Sequence, residues 1–175
     1  MRLNDPFADP QPLIRRVYAY VAYRIGAGAE AEDVTSDAFE RALRYRDSFD
    51  PRKGEPVSWL IGIARRCIAD AALSPQSAEV DLENEVATED LEGNALRRIE
   101  LSAAMAQLDE RDRELVALRY GADLTARQIG EVMGMKTNAV EVALHRALRS
   151  LRESLEAPEA PVSPARVPWA SESRA

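Results

Sequence analysis

The side chains best suited to chemistry in this sequence lie at helical spacing near its C-terminal end. Glu141 can accept a hydrogen bond from cytosine N4, and Val142 can touch a thymine methyl group. Arg146 and Arg149 can bind phosphates, and His145 is either a donor to a base or phosphate or an ordinary surface residue. Residues of these types on one helix predict a surface that contacts DNA.

A helix-turn-helix is the element that would position this surface. Thr125 and Gln128 have the spacing of a capping box, and Leu124 and Ile129 are placed as the hydrophobic staple across it. Gly134 follows where the chain must turn with a positive φ, which residues with a Cβ resist. The pattern is typical of a motif that places one helix in a DNA groove.

The second helix of this motif is predicted to begin near Thr137 or Asn138. Its apolar residues recur at helical intervals and predict one buried stripe, made of Val140, Leu144, Leu148 and Leu151. The residues that can contact DNA then lie on the opposite side.

Composition predicts an all-α, globular protein for most of the 175 residues, with 46% hydrophobic residues and eight glycines. The single Cys67 cannot form an internal disulfide and falls on an apolar stripe, so we expect a small core residue. No segment approaches the roughly 18 apolar residues of a membrane span, and no cleavable signal opens the chain. We therefore expect a cytoplasmic protein that does not insert into a membrane.

The net charge of −7 is unevenly distributed along the chain. Residues 74–94 hold seven acidic residues and no basic one, so repulsion predicts a flexible acidic linker. Fully extended, that linker would span about 70 Å. It separates two predicted helical domains, 10–73 and 95–155, and a proline-rich tail at 156–175 is predicted to be disordered.

Three helices are predicted in the N-terminal domain. The first is ended by the glycines at 26 and 28, and the second runs to about Tyr45. One side of the second helix is expected to be buried, and its apolar residues are Val34, Ala38, Ala42 and Tyr45. The third runs from Val57 to Leu73 with its buried stripe at Leu60, Ile63, Ala64, Cys67 and Ile68. Arg65 and Arg66 must point away from that stripe.

The order of these parts resembles the extracytoplasmic function (ECF) group of sigma factors, in the sigma-70 family of bacterial RNA polymerase. The stretches that carry the resemblance are 33–43, 49–51, 59–65, 108–114, 118–120, 129–134 and 144–149. They fall within roughly residues 10 to 153. Their order and spacing around an acidic linker is more specific than any one of them, since helix-turn-helix patterns occur in many regulators.

The resemblance implies that the second helix docks on a coiled coil of the polymerase's largest subunit. The positions that match this surface are Asp33, Asp37, Phe39, Glu40, Arg41 and Arg44, with Phe39 as the candidate anchor. The alternative is a solvated amphipathic helix. Ser36 departs from the glutamine usual in the family, which changes the detail of the docking contacts.

The resemblance also implies that the loop at 49–56 captures a base flipped from the opened downstream promoter element. Such a pocket needs stacking and backbone contacts to offset the cost of extrusion. The positions that match are Phe49, Arg52 and Lys53, together with Arg65 and Arg66 at the melted strand. Trp59 fits the core better than a stacking platform. Relatives often follow this helix with a run of arginines that is missing here, so we expect feeble binding to free DNA.

The C-terminal helix is implied to read the upstream promoter element. The matching positions are Thr137, Asn138, Glu141, Val142, His145, Arg146 and Arg149. Where relatives commonly have Lys-Ser-Arg, this chain has Glu141, Val142 and Ala143, so either sequence preference or affinity is expected to change.

The predicted function is that of a sigma factor, with core RNA polymerase, promoter DNA and an anti-sigma factor as partners. Two alternatives are a sigma mimic that binds an anti-sigma factor without recognising DNA, and a free-standing helix-turn-helix regulator. An enzyme is not expected, because one histidine, one cysteine and no glycine-rich phosphate loop leave no catalytic pair, metal set or cofactor site. The acids Asp109, Glu110, Asp112 and Glu114 fit a helix start better than catalysis.

Overall fold

The computed structural model describes residues 7–73 and 91–156, with side chains described from 96 onward in the second range. Within those ranges the chain forms α-helices, one short 3-10 turn and one short π turn, which are joined by loops. There is no strand in those ranges, so the all-α prediction is confirmed. The N-terminal bundle comprises α1 (Gln11–Ile25), α2 (Ala29–Arg44), a 3-10 turn (Arg46–Ser48) and α3 (Pro56–Ala72). The C-terminal bundle comprises α4 (Leu91–Gln107), α5 (Glu110–Val116), a π turn (Ala117–Gly121), α6 (Ala126–Met133) and α7 (Thr137–Glu156).

The three helices of the N-terminal bundle begin and end close to the predicted positions. Gly26 ends α1 with φ of 95°, and the acids Glu30 and Glu32 lie in the first turn of α2, where they suit the helix dipole. The predicted stripe of α3 is buried throughout. Tyr45, however, was wrongly placed on the buried side of α2, because the helix stops at Arg44 and the Tyr45 side chain is 56% exposed.

The helix-turn-helix of α6 and α7 has the predicted local structure. Thr125 accepts from the Gln128 amide and Gln128 reaches back to the Thr125 amide, which confirms the capping box. Leu124 and Ile129 are fully buried, and Gly134 takes the left-handed conformation with φ of 66°.

The linker predicted at 74–94 and the tail predicted at 156–175 lie largely outside the described residues. Within the described ones, α4 begins at Leu91, inside the stretch predicted as a linker, and α7 continues to Glu156. Buried residues of α4, α5 and α7, together with Leu108 in the turn between α4 and α5, form a small cluster of their own; the helical ones are Ala104, Met105, Val116, Ala147 and Leu151.

The two bundles share one hydrophobic core. Buried residues of α1, α2 and α3 are continuous with those of α5, the π turn, α6 and α7. The backbones approach closely at Gly121, where an added Cβ would lie 2.7 Å from the Tyr20 Cα atom. Only a residue without a side chain allows α1 and the π turn to pack at this distance.

Candidate nucleic-acid interface

The predicted DNA-contacting side of α7 is exposed. We call it the reading face, and all its members are classed as exposed: Thr137, Asn138, Glu141, Val142, His145, Arg146 and Arg149. The Val142 side chain is 62% exposed, which is unusual for a valine and leaves it free to touch another molecule.

The opposite side of α7 fixes the reading face in place. Val140, Leu144 and Leu151 are buried as predicted, while Leu148 is half-buried. Ala143 and Ala147 are buried beside them and allow α7 to pack closely on its neighbours. The helix therefore cannot rotate to present other residues without exposing its apolar stripe.

Two acids modify the charge of the reading face. Glu153 Oε1 lies 3.8 Å from Arg149 Nε, an exposed pair that contributes little to stability. Burial, and then the neighbouring Asp109 carboxylate, raise the pKa of Asp112, which also interacts electrostatically with Arg146. The positive charge of Arg146 is thus partly balanced from α5.

A second candidate surface is a cavity of about 280 Å³ between the loop at 48–55 and α3. We call it the aromatic cavity. It is lined by Ser48, Phe49, Asp50, Lys53, Gly54, Glu55, Ser58, Trp59, Gly62, Arg65, Glu131 and Val132. The last two residues belong to α6, so the C-terminal bundle forms one wall.

Three aromatic rings support the aromatic cavity. The Phe49 and Trp59 ring centroids are 5.6 Å apart, and Phe7 lies 5.3 Å from Phe49 and 5.7 Å from Trp59. These are edge-to-face or tilted contacts, which favour a fixed arrangement of rings. Trp59 is half-buried and packs on the core, as expected, and it also lines the cavity, while a role as a stacking platform stays a prediction.

The predicted phosphate-binding cations near the aromatic cavity differ in the contacts that their side chains make. Lys53 lines the cavity, and Arg66 is exposed. Arg52 donates from Nε and Nη2 to Asp50 at 3.0 and 2.9 Å, and this contact lowers the pKa of the Asp50 carboxyl. Arg65 Nη1 donates to the Val132 carbonyl at 3.2 Å, so it is engaged by α6.

The predicted docking side of α2 is charged and internally paired. Arg41 lies 2.8 Å from Asp37 and 2.6 Å from Asp70, and these partners raise its pKa. Arg44 lies 2.6 Å from Glu40, and Asp33 is exposed. Phe39 is only half-buried and packs partly against the core, so part of its ring remains open to a partner.

Sequence reasoning missed the role of Glu114. It was grouped with the helix-start acids, and that group is correct for Asp109, which caps α5 by accepting from the Asp112 amide at 2.7 Å. Glu114 instead is 5% exposed and faces the N-terminal bundle. The sequence signal that could have placed Glu114 in the interior was its position just before the apolar residues Leu115 and Val116.

Cys67 is 2% exposed, which confirms the expected core position. Burial and the nearby Asp37 raise the pKa of its thiol to about 11, so the thiol stays protonated at neutral pH. No group of histidine, cysteine and acidic residues suited to a metal ion occurs in the described ranges. Among the described helices, none is long and apolar enough to cross a membrane.

Comparison with known protein families agrees with this geometry. Residues 11–76 match the family Sigma-70 region 2, and residues 104–153 match Sigma-70, region 4. The first match covers α1 to α3 with most of the lining of the aromatic cavity, and the second covers α5 to α7 with the reading face.

Individual proteins resemble the chain over most of its length. The ECF RNA polymerase sigma factor BldN of Streptomyces coelicolor is 33% identical over 162 residues, which are 88% of this chain and 59% of that relative. The chain thus spans under two thirds of BldN. The ECF RNA polymerase sigma factor SigW of Bacillus subtilis is 28% identical over 170 residues, covering 87% of this chain and 90% of SigW.

A solved structure shares the fold. The sigma factor RpoE, in complex with the anti-sigma factor NepR from Bartonella quintana, superposes with a TM-score of 0.64 at 19% identity. The match covers 82% of this chain and 91% of that one.

Proposed function

The chain belongs to the ECF sigma factors of the sigma-70 family, and we propose that it directs core RNA polymerase to specific promoters and initiates transcription there. In this role it has no catalytic activity and needs no cofactor. It acts in the cytoplasm, where the polymerase is, by holding the enzyme and two promoter elements together.

One observation carries the proposal, namely that a single chain presents both a reading face and an aromatic cavity. The reading face suits the major groove of the upstream element, because an exposed helix with mixed donors, acceptors and a methyl-bearing side chain can read base edges. The aromatic cavity suits an extruded base of the downstream element, because Phe49 and Trp59 offer rings for stacking.

The exposed surfaces also indicate which proteins the chain would bind. The α2 side with Asp33, Glu40 and Arg44 is suited to a polar interface with core polymerase, anchored by Phe39. An anti-sigma factor is a third partner. The structural neighbour RpoE is described in complex with such a factor, and the fold is shared.

The domain division that goes with this function is the one expected from the sequence. Residues 10–73 hold polymerase and the downstream element, and residues 95–155 read the upstream element. Residues 74–94 are proposed to connect them as an acidic linker, although α4 already begins at Leu91, and 156–175 are proposed to form a tail.

The test is reconstituted transcription with purified core polymerase and a library of promoter fragments. We expect transcripts that depend on this chain and that share two sequence elements upstream of their start sites. Association with core polymerase without any specific transcript would favour the sigma mimic. Tight, specific binding to duplex DNA without polymerase would favour a free-standing regulator.

A further inference from the structure

A groove between α1 and α4 is separate from the surfaces described above. It encloses a cavity of about 560 Å³, twice the 280 Å³ of the aromatic cavity. We call it the α1–α4 groove, and its lining includes Tyr18, Ala22 and Tyr23 of α1 with Arg98, Ser102 and Ala106 of α4. None of these residues lines the aromatic cavity or belongs to the reading face. The proposed function therefore leaves this surface without a role.

The α1–α4 groove has aromatic side chains next to small ones. Tyr18 and Tyr23 are half-buried and pack against the core, which holds their rings in position. Ala22 and Ala106 have only a methyl group as side chain, so the space beside the rings stays open. Tyrosine rings beside open space are typical of grooves that bind a proline-rich segment in the polyproline II conformation.

The α1–α4 groove also carries a positive charge that is available to a ligand. Arg98 is exposed and makes no ion pair with any residue of the described ranges. Arg113, which also lines the groove, is already engaged, because it donates to the carbonyls of Met105, Ala106 and Leu108. A ligand with an acidic side chain near its prolines would suit Arg98.

The C-terminal tail of the chain has a sequence that matches this groove. Pro158, Pro161 and Pro164 recur at every third residue, which is the repeat of a polyproline II helix and places them along one edge of it. Glu159 lies between the first two prolines and can supply the acidic side chain. These residues lie outside the described ranges, so the match is one of sequence.

The tail begins close enough to reach the groove. α7 ends at Glu156, and its Leu151 packs in one cluster with Met105 of α4, which also lines the groove. The tail therefore leaves α7 beside α4, a helix of about 10 Å in diameter. The eight residues that follow Glu156, up to Pro164, extend over about 25 Å as a polyproline II helix. That length is enough to pass around α4 and lie along the groove.

We propose that residues 158–164 bind the α1–α4 groove of their own chain as a polyproline II helix, with the prolines against Tyr18 and Tyr23 and with Glu159 beside Arg98. Because the tail is tethered, its effective concentration at the groove is in the millimolar range, so even a weak site is filled. Composition alone predicted disorder for the whole tail, whereas this contact holds one part of it in place. A second protein that uses the groove must displace the tail.

Trypsin cleavage after Arg166 reports binding of the tail in the full chain. Arg166 lies two residues beyond Pro164, and a protease must take up several residues on each side of the bond, so a bound tail is protected. We expect cleavage about tenfold slower in the chain than in a free peptide of residues 157–175. Mass spectrometry measures the released fragment, and each variant is compared with the free peptide of its own tail sequence.

Ala106→Glu tests the groove. It adds bulk beside the tyrosines and a negative charge that repels Glu159, so cleavage should become as fast as in the free peptide. The matched control is Ala103→Glu, because Ala103 is an exposed alanine of the same helix that does not line the groove. The control should keep the wild-type protection, and circular dichroism must show unchanged helix content in both variants.

Replacement of the three repeated prolines tests the tail. Pro158→Gly, Pro161→Gly and Pro164→Gly together remove the rings, and glycine does not favour an extension of α7 into the tail. Protection should be lost. Pro168→Gly lies outside the three-residue repeat and is the control that should keep it. If Ala106→Glu loses helix content, the tail variants decide, because they change no residue of the described helices.

Three results would overturn the proposal. Equal cleavage of the wild-type chain and the free peptide would leave the groove open to another protein. Protection that survives Ala106→Glu in a folded chain would place the tail elsewhere. Protection that rises with chain concentration would show that the groove binds the tail of a second copy. None of these results bears on whether the chain directs transcription, so the two proposals can fail separately.

Discussion

The reading face and the aromatic cavity differ in how much the rest of the molecule contacts them. The reading face is exposed along its whole length, and it carries the loose ion pair of Arg149 with Glu153. The aromatic cavity lies between the bundles, where Glu131 and Val132 of α6 close one side. One candidate surface is therefore exposed on α7 alone, and the other is built from two bundles.

The difference indicates an order of events for a factor that uses both surfaces. Duplex DNA can meet the reading face with no rearrangement, whereas a base must first leave the duplex before it can enter the aromatic cavity. Because the upstream element is duplex and the downstream element must melt, the aromatic cavity is the surface needed later. Variants of each surface should consequently fail at different steps.

The largest effect is expected from Phe49→Ala in the aromatic cavity. The substitution removes a ring that contacts both Phe7 and Trp59, and stacking of one base on an aromatic ring is worth about 1–3 kcal/mol. We expect formation of open promoter complexes to fall about tenfold or more. Permanganate footprinting of the melted strand measures this, and association with closed promoter should be unchanged.

A matched control for Phe49→Ala is Tyr120→Ala, since the Tyr120 side chain is 52% exposed and does not line the aromatic cavity. Thermal unfolding of both variants separates loss of the cavity from loss of the fold. Equal open-complex formation in Phe49→Ala and wild type would contradict the role of the cavity.

The next effect is expected from Glu141→Lys on the reading face. A carboxylate accepts from cytosine N4, while a lysine donates to guanine, and a good base contact is worth about 1–3 kcal/mol of discrimination. We expect the preferred base at one upstream position to change by about tenfold in relative use, with open-complex formation on the new sequence intact. Promoter-library transcription measures the preference, and an unchanged preferred sequence would remove Glu141 from base reading.

The reading face was predictable from sequence because its determinants are local. The capping box at Thr125 and Gln128, the turn at Gly134 and the apolar repeat of α7 each depend on residues within a few positions of one another. The wall that α6 contributes to the aromatic cavity was not predictable in this way. Glu114 and Tyr20 are 94 residues apart, and Arg65 and Val132 are 67 apart. Helical periodicity carries no information on such contacts.

The inability of local patterns to reveal long-range contacts also explains why single residues were misplaced. Glu114 follows Asp109, Glu110 and Asp112, and its charge alone does not separate it from that helix-start group. Its partners are supplied by α1 and α3. The π turn at 117–121 also had no signal in the hydrophobic pattern, although it sets the packing of α1 at Gly121.

A smaller effect is expected from Arg146→Ala. The side chain is exposed and suited to a phosphate, so its loss should weaken upstream binding on all sequences alike. We expect the slope of log affinity against log salt concentration to decrease by about 1. Arg97→Ala on α4, also exposed but away from the reading face, is the control and should leave the slope unchanged. A selective loss on one sequence would instead make Arg146 a base-reading residue.

The smallest effect is expected from Asp112→Asn, which acts on the reading face through Arg146. The Asp112 carboxylate balances part of the Arg146 charge, so its neutralisation should modestly strengthen DNA binding at neutral pH. Because burial and Asp109 raise the pKa of Asp112 above its ordinary 3.8, wild type takes up the same proton as the pH falls through that raised value. The advantage of the variant should therefore be present at neutral pH and shrink on acidification, with the affinities converging below the pKa. A ratio of affinities that stays constant from neutral to acid pH would show that Asp112 does not tune Arg146, and the reading face would then be independent of α5.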